Sequence, residues 1–275
     1  MASRARTYNT EGVILRRRNL GEADSIFTIF SPTLGKFDAI SRGVRKTKSR
    51  MRGHLEPLTR SQLHVATGRN LDILTQAETI AAYLAVRDDL DRLTLAVYCC
   101  ELVDRFTVDH AVQVDLYDLL VQLLEALNAG APLTVGRYFE LHVLALTGYE
   151  VQLSQCAVCG ARLPEAEALF SVGSGGLVCE ACRGAAGSGR IISVRAMKVL
   201  RFAANGTLGE FAGLRLATEL EGELQRCLGE AIRAVLDRET NSGRYLDSLA
   251  GPLHLPDPEP ASHVQLTSHL EPERD

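Results

Sequence analysis

The chain has 275 residues, 46% of them hydrophobic and 23% charged, enough to build two or three packed units without disulfides. Seven cysteines are an odd count, no apolar leader core follows residues 1–6, and no run approaches eighteen apolar residues. Nothing here suggests secretion, a disulfide framework or a membrane span, and a soluble cytoplasmic protein with reduced thiols is expected. The net charge of −4 hides an asymmetry: residues 1–80 carry 14 basic against 7 acidic side chains, and the remainder 16 against 27. A polyanion is therefore expected to meet the head and be repelled by most of the body.

The head reads as strands. Gly12-Val13-Ile14-Leu15-Arg16-Arg17, Ser25-Ile26-Phe27-Thr28-Ile29-Phe30 and Lys36-Phe37-Asp38-Ala39-Ile40 are rich in β-branched and aromatic residues, with breaks at Gly21-Glu22 and at Pro32 to Gly35. Gly68-Arg69-Asn70 joins two alternating patterns, Leu63/Val65 and Leu71/Ile73, as a hairpin. Five short strands in about eighty residues fit a small, partly open barrel, and an OB-fold is the best match in size. Phe27, Phe30 and Phe37 lie inside these strands and are expected in the core rather than as stacking platforms.

Between the third and fourth strands lies Arg42-Gly-Val-Arg45-Lys46-Thr-Lys48-Ser-Arg50-Met-Arg52-Gly53, with no acid from Asp38 to Glu56. Its glycines and lack of period make it a loop whose flexible cations could track a phosphate backbone. Arg16, Arg17 and Arg18 extend the patch in this reading.

From residue 81 the period becomes helical. Leu90, Leu93, Val97, Cys100, Val103 and Phe106 mark one apolar face, and Leu116, Leu119, Leu120, Leu123, Leu124 and Leu127 a second. A third helix is expected over 133–147, stopped by Gly148. Ser193 caps a fourth through Ala204, and Leu216 to Val235 mark a fifth ending near Thr240. Cys99, Cys100 and Cys227 fall within these helices as small core residues. Residues 251–275 hold Pro252, Pro256, Pro258, Pro260 and Pro272 with no period and are expected to be a disordered tail.

Cys156-Ala-Val-Cys159 and Cys179-Glu-Ala-Cys182 are two C-x-x-C knuckles at zinc-ligand spacing. Each two-residue gap lets both thiolates of a knuckle face one ion, and two knuckles complete a closed tetrahedron, which makes the site structural. Gly173 to Gly176 supply the turn that returns the second pair. The organisation expected is thus an α+β chain: an OB-fold over 1–80, an α-helical domain from 81–149 and 191–250, a zinc-binding insertion over 150–190, and the tail. Two other functions were open to these residues. For a metal-dependent nuclease the sequence offers no compact carboxylate cluster such as magnesium needs, and a zinc-ribbon regulator would have only Arg162, Arg183 and Arg190 as cations near the metal.

Several stretches resemble the RecO family of bacterial recombination mediators. Gly21-Glu22-Ala23-Asp24, Gly35-Lys36, Arg42-Gly43 and Ser49 to Gly53 with Leu55 and Pro57 are similar to its N-terminal region. Gly148-Tyr149, the two knuckles, Phe170-Ser171 and Gly175 to Val178 are similar to its zinc segment. The resemblance covers about residues 7–250 and implies an OB-fold, a helical domain and a zinc insertion. It also implies a non-enzymatic protein of the nucleoid that binds single- and double-stranded DNA, anneals complementary strands and, with RecR, helps RecA replace SSB. The DNA-contacting surface it implies is Lys36, Arg42, Arg45, Lys46, Lys48, Arg50 and Arg52, and the zinc ligands are Cys156, Cys159, Cys179 and Cys182.

Overall fold

The computed structural model describes residues 7–236. The expected tail and the expected helix end near Thr240 lie outside them. Five strands, β1 (Thr7–Leu20), β2 (Asp24–Ser31), β3 (Gly35–Ser41), β4 (Arg60–Ala66) and β5 (Asp72–Ala81), close a barrel in the order β1-β2-β3-β5-β4. This is the OB-fold connectivity. Four seams are antiparallel ladders or long pairings, whereas β3 and β5 meet in parallel at only two register pairs, Ala39 with Asp72 and Ile40 with Ile73. The barrel is closed, but narrowly at this seam.

Alternation decides what fills it. Ile14, Phe27, Ile29, Phe37, Ala39, Leu63, Val65 and Leu74 point inward and pack with Val44 and Leu55 from the β3–β4 connection. Val13, Leu15, Phe30 and Leu58 belong instead to the core shared with the helices. The unbroken Val13-Ile14-Leu15 run is thus explained: this part of β1 is covered on both faces, so no polar residue alternates with its apolar ones. Phe30 meets Tyr117 across the junction with ring centroids 6.0 Å apart.

The body begins with α1 (Leu84–Arg87), followed by α2 (Leu90–Phe106), α3 (Val114–Asn128) and α4 (Val135–Leu146). A small sheet of β6 (Ala168–Ser171), β7 (Gly176–Val178) and β8 (Arg190–Ile192) comes next, ordered β7-β6-β8, with the four-residue α5 (Arg183–Ala186) between its last two strands. Then come α6 (Val194–Asn205), α7 (Leu208–Ala212) and α8 (Thr218–Leu236). Ser193 caps α6 as expected, its side chain accepting the Ala196 N–H. The face expected for α2 needs correction. Leu90 is 64% and Val97 41% exposed, while Leu95, Ala96, Tyr98, Cys99, Cys100, Leu102 and Val103 are buried. This helix packs on β1, α1, α3 and α4, so its buried arc is wide and a narrow three-and-four spacing misplaces it.

Barrel and body are locked at the start of β3. Gly35, at φ +68°, approaches the body so closely that a Cβ there would sit 2.2 Å from the Ala111 carbonyl oxygen. The next residue, Lys36, has a side chain only 11% exposed; its Nζ lies 3.2 Å from the Asp104 carboxylate and 3.5 Å from Asp109, and donates to the Asp104 carbonyl at 2.5 Å. Removing Asp104 would leave this ammonium buried against an exposed carboxylate alone. Asp104→Ala is therefore expected to cost about 3 kcal/mol in denaturant unfolding, and a loss below about 0.5 kcal/mol would show that the pair does not fasten the junction.

Candidate nucleic-acid interface and metal centre

The β3–β4 connection leaves the barrel at the end of β3 opposite to the docked one. Six residue steps at about 3.3 Å place its first residue, Arg42, roughly 20 Å along the strand from Lys36. Its last residues return to the body, where Arg87 donates to the Pro57 carbonyl at 2.6 Å and Leu58 joins the shared core. It is built of turns rather than flexible chain. Lys46 N–H donates to the Gly43 carbonyl at 3.1 Å, Ser49 N–H to Lys46 at 2.9 Å, and a 3-10 turn over Gly53–Leu55 closes it. Val44 and Leu55 drop into the barrel interior as plugs, and the His54 ring accepts the Thr79 N–H of β5 at 3.2 Å.

Around these plugs, Arg42, Arg45, Lys46, Lys48, Arg50 and Arg52 are all exposed, and none forms an ion pair among the described residues. Arg45 alone is tied down by its side chain, Nη1 donating to the Gly21 carbonyl at 2.9 Å. The other expected cations are not brought into this group. Lys36 is consumed at the junction, so it is removed from the candidate surface. Arg16 pairs with Asp104 at 3.3 Å, Arg17 with Glu56 at 3.0 Å, and Arg18 with Asp38. These pairs neutralise the three arginines locally, and they do not extend the patch.

The loop's near end is pinned to the β1–β2 turn. Gly43, at φ +67°, donates its N–H to the Asp24 carboxylate at 2.8 Å, and the Arg45 N–H donates to the Ala23 carbonyl at 2.9 Å. Asp24 was visible in the sequence only as part of a motif. The signal that would have singled it out is an acid placed by strand register against a glycine held in the left-handed region.

The four knuckle cysteines converge. Their sulfurs lie within 4.8 Å of one another, and Cys159 Sγ is 3.9 Å from Cys179 Sγ. A tetrahedral ion with bonds of about 2.3 Å separates its sulfurs by about 3.8 Å, so the spacing fits such an ion, and the cluster could hold one. The first knuckle is shaped by Gly160, at φ +73°, which lets Cys156 N–H donate to Ala161 at 2.7 Å and Gly160 N–H to Cys156 at 2.8 Å. The second starts where β7 ends, and Cys179 N–H donates to Cys156 Sγ at 3.4 Å, crossing between knuckles. Burial opposes a Cys156 thiolate, but the N–H groups of Cys179, Cys159 and Val158 outweigh it and lower this thiol to about 6. Hydrogen bonding to Cys159 and Cys179, ahead of burial, pushes Cys182 up to about 12. Four sulfurs at one point accept a first negative charge and resist a further one until a cation joins them.

The glycine turn does its expected work: β6 and β7 form a hairpin across it, with Phe170 opposite Leu177. The segment is not held by the knuckles alone, since Leu169, Phe170, Leu177, Val178 and Ile192 are buried in the helical core. Of the three cations of this segment, Arg190 pairs with the Glu230 carboxylate, while Arg183 donates to the Glu167 backbone carbonyl at 3.4 Å. Among the described residues no helix is long and apolar enough to cross a membrane.

Comparison with known proteins agrees with this architecture. The family model described as Recombination protein O N terminal matches residues 3–83, and the one described as Recombination protein O C terminal matches residues 87–244. The DNA repair protein RecO of Roseiflexus sp. (strain RS-1) is 39% identical over 247 residues, covering 90% of this chain and 87% of that protein. Those of Dehalococcoides mccartyi (strain CBDB1) and Bifidobacterium adolescentis are 35% and 36% identical, covering 88% and 87% of this chain and 96% and 99% of theirs.

Proposed function

The chain belongs to the RecO family and has a role in DNA repair and recombination, and on that premise we propose that it is a mediator that works by binding DNA through the β3–β4 loop. The observation that carries this reading is the contrast in pairing: six exposed loop cations have no acidic partner among the described residues, while the other arginines of the barrel's first strand do. A cation without a carboxylate partner is free to displace counterions from a phosphate. The ligand class is single- and double-stranded DNA.

Annealing follows from the same chemistry. Two complementary strands repel each other through their phosphates, and one protein surface that neutralises both lowers that barrier. Simultaneous contacts with RecR and with SSB-coated single strands would raise the effective concentration of RecA's substrate, so RecA loading needs no bond to be made or broken. The four cysteines hold one structural zinc that ties the two knuckles of the 150–190 segment to each other. Soft thiolates in a closed tetrahedral set favour zinc over magnesium or calcium.

The test is annealing of two labelled complementary oligonucleotides by the full chain, with magnesium present. The expected result is accelerated duplex formation that fades as salt is raised, with both strands left intact. No acceleration, or cleaved strands, would contradict the mediator reading.

A further inference from the structure

An acid stands at the root of the basic loop where electrostatics alone would not put one. The Asp24 carboxylate repels phosphate and would weaken the capture of a polyanion. It forms no ion pair among the described residues; what it holds is the Gly43 N–H, at 2.8 Å. Strand register explains the placement, because Ser25 pairs with Ser41 and so sets Asp24 beside the first residues of the loop. On either side, the Arg45 N–H is held by Ala23, the Arg45 guanidinium by Gly21, and Val44 is buried.

We propose that Asp24 is a positioning residue for DNA recognition: by accepting the Gly43 N–H it fixes the start of the loop, so that Arg42, Arg45 and Lys46 meet phosphates from a preset arrangement. This rests on the DNA-binding reading of the loop given above. The gain is entropic. A loop ordered at folding does not have to be ordered again on binding, and each cation held ready keeps its phosphate contact without that cost. Gly43 suits the device because its left-handed backbone aims the N–H at the β1–β2 turn, a conformation other residues adopt with strain.

Asp24→Ala and Asp24→Asn test this, since both remove the same negative charge and only asparagine keeps an acceptor oxygen. Binding of a labelled single-stranded oligonucleotide is measured against salt for both variants and the parent chain. Losing one to two phosphate contacts would make the slope of log K on log salt shallower by about 1, which is about tenfold weaker binding at 0.1 M salt. The expected result is that loss in Asp24→Ala and its rescue in Asp24→Asn. Equal binding by the two variants, or tighter binding by Asp24→Ala than by the parent, would overturn the proposal, because the acceptor oxygen for Gly43 N–H would then make no contribution. Salt-insensitive binding by the parent chain would instead defeat the DNA reading itself. Amide exchange on the parent chain provides a check free of any folding defect: Gly43 and Arg45 are expected to exchange more slowly than Lys48, and equal rates would overturn the preset loop.

Discussion

The triple variant Lys46→Glu, Lys48→Glu, Arg50→Glu is expected to lose at least about a hundredfold in affinity for single-stranded DNA at 0.1 M salt. Three phosphate contacts account for a slope of about 2 in log K against log salt, hence about two decades at that concentration, and three new carboxylates add repulsion. These three side chains are chosen because they are exposed and make no hydrogen bond or ion pair among the described residues. Arg45 is left in place because its guanidinium braces the Gly21 carbonyl, so changing it would mix charge with loop geometry. The melting temperature and metal content of the variant should match the parent's, since exposed substitutions away from structural contacts usually stay within about 0.5 kcal/mol. Annealing should fall with affinity. Binding within about threefold of the parent would mean that DNA lies elsewhere.

Loss of the proposed zinc is expected to be the largest stability effect in the chain, and also a confined one. Cys179→Ser replaces a thiolate with a hydroxyl that does not ionise near neutral pH, so metal analysis should fall from about one zinc per chain to near none. Structural zinc contributes on the order of 10–16 kcal/mol at pH 7 to the elements it ties together. From spacing alone, the whole of residues 150–190 would come loose. The structure narrows that expectation, because Phe170, Leu177, Val178 and Ile192 are buried against the helices and hold the small sheet independently of the sulfurs. Amide exchange in the variant should therefore rise in the two knuckles, around 154–163 and 179–187, while β6 and β7 keep most of their protection. Full metal content in the variant would exclude Cys179 as a ligand. Because thiolates bind the ion and thiols do not, the metal should also be released as pH falls, with protons taken up in its place.

Much of this was legible in the sequence, for identifiable reasons. Strand and helix periods survive any packing arrangement, so five strands and the long helices could be found from alternation and from three-and-four spacing. The C-x-x-C knuckles were equally plain, because local spacing fixes which thiols can share an ion. The loop's charge was visible as well: the absence of acids between Asp38 and Glu56 excludes local neutralisation. What escaped depends on residues far apart in the chain. Arg16 and Lys36 look as free as Arg50 until α2 brings Asp104 to them, and Arg17 meets Glu56 only once the loop has folded back. The buried Arg137 and Glu140, 3.1 Å apart, with Tyr98 donating to Glu140 at 2.8 Å, could not be told from a solvated helix face by spacing. The Thr207 and Glu210 capping box of α7 was present as T-x-x-E and could have been found.

The central claim is that DNA is held by the cations of the β3–β4 loop. Its most direct test is the salt dependence of single-stranded DNA binding by the full chain. If Arg42, Arg45, Lys46, Lys48, Arg50 and Arg52 each neutralise one phosphate, log K should fall against log salt with a slope of about −4. A slope near zero would contradict the account.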